Sequence, residues 1–293
     1  MNIEVHDVTL RYDRTVAVDG MTFRLEGPGI FGLLGRNGSG KSSLLSLLAA
    51  FRRPNSGEVL INGMPVFENP AATSQVCLIR ESPDTVEHGW PANKVRDALE
   101  LASKTRPNWD SAYSDRLVEA FRLPLTIPVT ALSKGQRGAL GVTLGLAARA
   151  PITLFDESYL GMDAPSRYAF YDELLSELID HPRMFVVSTH LIEEVSRLLQ
   201  EVVIIDQGRL VMHDEKEALE ARGATVIGPA LEVDRVTAGL EILGERSLGS
   251  TKSVAVYGDL DPEMLLSAKE AGLEVGALPL QDLFVHLTAR STE

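Results

Sequence analysis

The run Gly35-Arg36-Asn37-Gly38-Ser39-Gly40-Lys41-Ser42 fits the pattern G-x-x-x-x-G-K-[ST]. Its glycines permit positive φ and close backbone approach, so that successive N–H groups can surround phosphate oxygens. An apolar run, residues 30–34, precedes it, and an apolar helix predicted over 41–51 follows. The positive N-terminal end of such a helix faces the same anion. In this arrangement Lys41 reaches the β- and γ-phosphates and the Ser42 hydroxyl ligates Mg²⁺. A glycine-rich turn can match the pattern by chance; the strand before it and the helix after it set this one apart. The expected nucleotide-binding set is Gly35, Arg36, Asn37, Gly38, Ser39, Gly40, Lys41, Ser42 and Ser43.

A second group sits at the end of another apolar run. Ile152-Thr153-Leu154-Phe155-Asp156-Glu157 reads as a buried strand closing on two carboxylates. At the C-terminal end of a strand both can reach a ligand over the sheet edge. Asp156 would hold Mg²⁺, directly or through water, and Glu157 would polarise the water that attacks a γ-phosphate. An acidic pair alone is more often a solvated loop; beside a phosphate loop it carries weight. His190 follows the apolar strand 184–188 and also stands at a strand end, where it could donate a hydrogen bond to the γ-phosphate.

The elements that must position these groups alternate along the chain. Strands are predicted at 3–11, 22–25 and 29–34, with further ones at 58–61, 76–79, 152–155, 184–188 and 201–206. Helices are predicted at 95–104, 110–121, 134–149, 166–179 and 191–199, with a hairpin over 209–212 after the Gln207-Gly208 turn. The βαβ alternation implies an α/β fold: a mostly parallel sheet covered by helices, preceded by an antiparallel β-subdomain and interrupted by a helical subdomain at about 83–150. Beyond Gly223 no catalytic motif is visible. A strand at 253–257 and helices at 262–271 and 280–287 suggest a small α+β appendage, so the expected domains are 1–222 and 223–293.

Composition narrows the class. No stretch of the sequence reaches the ~18 apolar residues of a membrane span, and the start of the chain reads as a strand rather than a secretory signal. One cysteine, Cys77, makes no internal disulfide and reads as a small buried strand residue. A cytoplasmic address is expected. The net charge of −13 argues against nucleic acid as the main partner, because phosphate-backbone binding needs clustered Lys and Arg.

Leu132-Ser133-Lys134-Gly135-Gln136 resembles L-S-G-G-Q, the signature of ABC ATPases, and stands one helix ahead of the acidic strand. Together with the phosphate loop, Asp156-Glu157 and His190, it follows that family's order and spacing over about residues 3–221. The resemblance implies a P-loop NTPase core with ATP and Mg²⁺ as ligands. It matches Tyr12 to the aromatic residue that stacks on adenine and Asp163 to the D-loop aspartate. Ser133, Gly135 and Gln136 fall at signature positions that meet the nucleotide of the opposite subunit. It further implies a head-to-tail dimer, homomeric or with a related ATPase, docked on a separately encoded membrane permease through 83–131. The sequence around 158–167 is similar to an export-type bacterial subgroup. The family's Q-loop glutamine aligns with Glu81, unless that position is absent here; a carboxylate can still ligate Mg²⁺ but cannot donate a hydrogen bond. Lys134 replaces the first signature glycine, and Ser158 replaces the proline that follows the catalytic glutamate. Two other readings compete: a soluble ABC ATPase acting on nucleic acid or ribosomes, and a regulatory module without turnover. The single uninterrupted core and the acidity speak against the first, and the presence of Glu157 and His190 against the second.

Overall fold

Alternation along β1 (Asn2–Tyr12) buries Ile3, Val5, Val8 and Leu10 and turns their neighbours outward. β1 pairs antiparallel with β2 (Thr15–Glu26), which begins well before the predicted 22–25 because Asp13, with φ 49° like a turn glycine, closes a tight hairpin. β3 (Gly29–Leu34) is buried at every position, as a central strand covered on both faces must be. α1 (Lys41–Leu48) ends earlier than the predicted 51, and Ala50 at positive φ breaks it. β4 (Ser56–Ile61) and β5 (Met64–Pro65) complete an antiparallel sheet of order β2-β1-β4-β5. The short α2 (Pro70–Thr73) then leads into β6 (Val76–Arg80). The computed structural model describes residues 1–80, 94–258 and 262–290. Glu81 and Trp90, and with them the start of the expected helical subdomain at Pro83, lie outside the described residues.

The described part of that subdomain is helical. In α3 (Val95–Thr105) the carboxylate of Asp97 accepts from the N–H of Lys94, and α4 (Ser111–Ala120) is capped by Asp110. α5 (Lys134–Ala147) opens on a capping box. Ser133 Oγ accepts from the Gln136 N–H at 3.2 Å, while Gln136 Oε1 accepts from the Ser133 N–H at 3.0 Å. The rest of α5 runs close against its neighbours. A side chain at Gly138 would stand 2.7 Å from the carbonyl oxygen of Ser158, so only hydrogen fits there.

β7 (Ile152–Asp156), α6 (Ala164–Asp180) and β8 (Met184–Thr189) return the chain to the sheet. β3, β8, β7 and β6 are parallel neighbours in that order. Their first residues pair in register, Gly29 with Met184, Met184 with Ile152, and Ile152 with Val76. All four strands therefore finish at one edge. The opposite edge is locked by charge. Arg183, 4% exposed, donates to Leu146 O at 2.9 Å and Thr153 Oγ1 at 3.2 Å, and pairs with Glu177 at 3.0 Å. Glu177 also meets Arg149 at 3.3 Å, and Arg149 pairs with Asp110 at 3.2 Å. The ends of α5 and α6 and the starts of α4 and β7 are thus tied to one buried carboxylate.

The chain forms two units, Met1–His190 with Ile205–Leu210, and Leu191–Ile204 with Val211–Glu293. Of the predicted helix 191–199 only a short turn forms, α7 (Ile192–Val195), with a single 3₁₀ turn after it. β9 (Glu201–Asp206), β10 (Arg209–Glu215) and α8 (Lys216–Arg222) follow. The C-terminal stretch is richer than its sequence pattern suggests: β11 (Gly223–Pro229), α9 (Ala230–Val236), β12 (Glu241–Leu248), β13 (Thr251–Tyr257), α10 (Pro262–Glu270) and β14 (Glu274–Ala277). Their antiparallel order β12-β13-β11-β14 with β-α-β-β-α-β succession is a ferredoxin-like layer. Val226, Val233, Val236, Val254, Val256 and Leu273 form its core, and α11 (Leu280–Arg290) closes the described chain. Among the described residues no helix is long and apolar enough to cross a membrane.

Removing Glu177 leaves two guanidinium groups without their shared buried counter-charge. Glu177→Ala is expected to destabilise the first unit by about 3–5 kcal/mol in urea unfolding. A loss below ~1 kcal/mol would show that the network contributes little.

Candidate functional site

The loop 35–40 joins the end of β3 to the start of α1, as its sequence requires. Gly40 takes φ 104° and lies so close to the Ala17 carbonyl that a side chain has no room. The Ser39 carbonyl accepts from the N–H of Gly208, and the Gly208 carbonyl accepts from the N–H of Asp19. The 207–208 turn thereby props the loop from behind. Ser39 Oγ is buried and has no hydrogen-bond partner among the described residues, an atom that an anion in the loop would satisfy.

Lys41 is almost fully buried. Its ammonium donates to Gly35 O at 2.7 Å and Arg36 O at 3.2 Å, and pairs with Glu157 Oε1 at 3.1 Å. Ser42 Oγ donates to Asp156 Oδ1 at 3.1 Å, and Ser188 Oγ donates to the same oxygen at 3.0 Å. Burial pushes the Asp156 carboxyl above the usual carboxylate range, while the hydrogen bonds from Ser42 and Ser188 pull the other way. Glu157, the next residue, stands at φ 52°, a costly conformation for a side-chain-bearing residue that turns its carboxylate back over the strand edge. His190 Nδ1 lies 3.7 Å from Glu157 Oε1, in ion-pair range. The loop, both carboxylates and the histidine thus converge within one unit.

A cleft of about 350 Å³ is lined by Tyr12, Ser42, Ser43, Ser46, Arg52, Arg80, Asp156 and Glu157. Tyr12, from the end of β1, is 38% exposed and carries the Arg52 guanidinium 5.5 Å from its ring centre. Ser188, Arg52 and Arg80 escape sequence reasoning. The available signal was a polar residue closing an otherwise apolar strand, as Ser188 and Arg80 do. Glu81 lies outside the described residues.

Ser133, Gly135 and Gln136 are not in this cleft. With Lys134 they line a separate cavity of about 870 Å³, which also takes in Arg122, Gly161 and Asp163. The aspartate at the D-loop position is itself a helix cap: Asp163 Oδ1 accepts from the Ser166 N–H at 3.0 Å, and hydrogen bonds from the Ser166 hydroxyl and then its N–H hold the carboxyl below the usual range.

A strand, a glycine loop and a helix, with an acidic residue ending the neighbouring strand but one, define the P-loop NTPase class. The comparisons narrow it. The family model described as ABC transporter matches residues 18–159. The Nod factor export ATP-binding protein I of Ralstonia nicotianae is 28% identical, covering 98% of this chain and 94% of its own. The spermidine/putrescine import ATP-binding protein PotA of Nitrosomonas europaea is 29% identical over 76% of this chain and 62% of its own. A dimeric, post-hydrolysis ATP-binding cassette structure bound to ADP and Pi superposes with a TM-score of 0.61 at 19% identity, covering 73% of this chain and 98% of that one. Residues 18–159, matched by the family model, and the similarity to these ATP-binding proteins mark an ABC-type nucleotide-binding domain that binds ATP and hydrolyses it.

The donor set suits Mg²⁺. A serine hydroxyl and a carboxylate already share a hydrogen bond, both are hard oxygen ligands, and this ion typically takes only one or two such groups beside phosphate oxygens. The raised Asp156 pKa means that the folded protein retains a proton the unfolded chain has lost. Its contribution is present below the unfolded carboxylate pKa and is lost as pH rises through the folded value. Asp156→Asn is therefore expected to leave the nucleotide-free melting temperature at neutral pH equal to or above wild type. The extra stabilisation that Mg²⁺ adds to ATP should vanish. A variant that keeps that increment would remove Asp156 from the metal site.

Proposed function

We propose that this chain powers a separately encoded membrane permease, working from the cytoplasmic face as an exporter-type ATPase. Similarity to an export ATP-binding protein along nearly the whole chain, the C-terminal unit included, supports that direction over the import relative, which matches a shorter stretch. The observation that carries the mechanism is the separation of the two cavities: the phosphate loop lines one and the signature the other. In a head-to-tail pair, homomeric or with a related ATPase, the signature of each copy would close the cleft of its partner. Tyr12 would stack on the adenine.

In this reading Lys41 exchanges its carbonyl and Glu157 contacts for the β- and γ-phosphates. That exchange releases Glu157, which accepts a proton from the attacking water as His190 orients the γ-phosphate. Ser42 and Asp156, with Glu81 as a further oxygen donor, would hold Mg²⁺, which would supply positive charge to offset that of the phosphates. The Ser133–Gln136 capping box orders the N-terminal end of α5, whose dipole would face the partner's phosphate in such a pair.

Glu157→Gln should keep ATP affinity, lose turnover by ~10²-fold or more, and accumulate as an ATP-bound dimer in gel filtration. Steady-state hydrolysis at the wild-type rate would refute Glu157 as the base.

A further inference from the structure

We propose that Arg80 is a further positioning residue of the ATP site, a built-in cation that draws in the triphosphate and opposes the metal. The proposal rests on assigning the 35–42 loop and Asp156 to ATP and Mg²⁺. β6 is apolar until its last residue, and nothing in its core role calls for an arginine there. The parallel register sets Arg80 directly beside Asp156 on the neighbouring strand, and both line the cleft with Ser42 and Glu157. The guanidinium is seated on the Phe51 ring, 5.2 Å from its centre, which fixes its plane without using a donor. Its Nε is buried and has no hydrogen-bond partner among the described residues. Nearby, Lys41 reaches back to Gly35, Arg36 and Glu157, and the cleft's other guanidinium, Arg52, lies on Tyr12. Arg80 thus sets a positive charge beside the buried carboxylate, with its Nε unpartnered among the described residues.

A fixed positive charge at this point favours ATP and disfavours Mg²⁺, so its removal shifts the two ligands in opposite directions. A residue that merely packs on Phe51 has no such signature.

The test is titration of the full chain with a fluorescent ATP analogue, first in EDTA and then with Mg²⁺ added at saturating nucleotide. Arg80→Gln should weaken metal-free binding about fivefold and lower the half-saturating Mg²⁺ concentration by about threefold. Arg80→Lys, which keeps the charge, should stay within about twofold of wild type on both measures. Arg80→Gln binding metal-free nucleotide like wild type would overturn the proposal. Equal losses with and without Mg²⁺, accompanied by a lower melting temperature, would overturn it too and leave Arg80 a packing residue. Lys41→Ala separates the two levels of the argument. If Lys41→Ala binds normally, the assignment of the site fails and this proposal with it. If Lys41→Ala loses binding and Arg80→Gln does not, only the role of Arg80 fails.

Discussion

The parallel register of β3, β8, β7 and β6 governs everything at the site. Because Gly29, Met184, Ile152 and Val76 start level, the phosphate loop, His190, Asp156 and Arg80 all emerge at one edge. None of these groups is close to another in sequence. Burial on both faces makes slippage costly, since a shift of one residue would exchange which side chains face each helical layer. The opposite edge repeats the logic with charge: Arg183 and Glu177 tie strand starts to helix ends, so the strands are held at the end away from the chemistry.

Held in this way, the site carries deliberate costs. Asp156 is a carboxylate taken out of water, Glu157 is in a left-handed conformation, and Ser39 Oγ is buried without a partner. A metal-bound triphosphate would offset the buried carboxylate and give Ser39 Oγ a partner, whereas the backbone cost at Glu157 stays with the fold. The Lys41–Glu157 pair compensates a buried ammonium; in the proposed mechanism phosphate would take the place of that carboxylate.

The chemistry was legible in the sequence because it is local. A glycine loop between a strand and a helix, and two carboxylates after Phe155, need no tertiary information to be recognised. The start of β2 was hidden because its turn uses Asp13 and Arg14 rather than glycine. The C-terminal layer was obscured for a related reason. β14 is only Glu-Val-Gly-Ala, and β12 is an exposed, irregularly paired edge strand whose alternation never shows. Arg80 and Arg52 were invisible because their partners, Asp156 and Tyr12, are remote in the chain. Ser133 and Gln136 were read for their resemblance to a nucleotide contact; the structure shows in addition that they cap their own helix.

The central claim is that each catalytic site is shared, with the phosphate loop from one copy and the signature from another. It can be tested by mixing two inactive proteins. Lys41→Ala destroys the loop and spares the signature, whereas Ser133→Arg blocks the signature and spares the loop. In a mixed dimer one of the two sites regains both intact halves. Equimolar mixing is therefore expected to restore about a quarter of wild-type ATP hydrolysis, since half of the randomly formed dimers are mixed and each holds one working site. A mixture no more active than its two components measured apart, under conditions where ATP still drives association, would contradict the account.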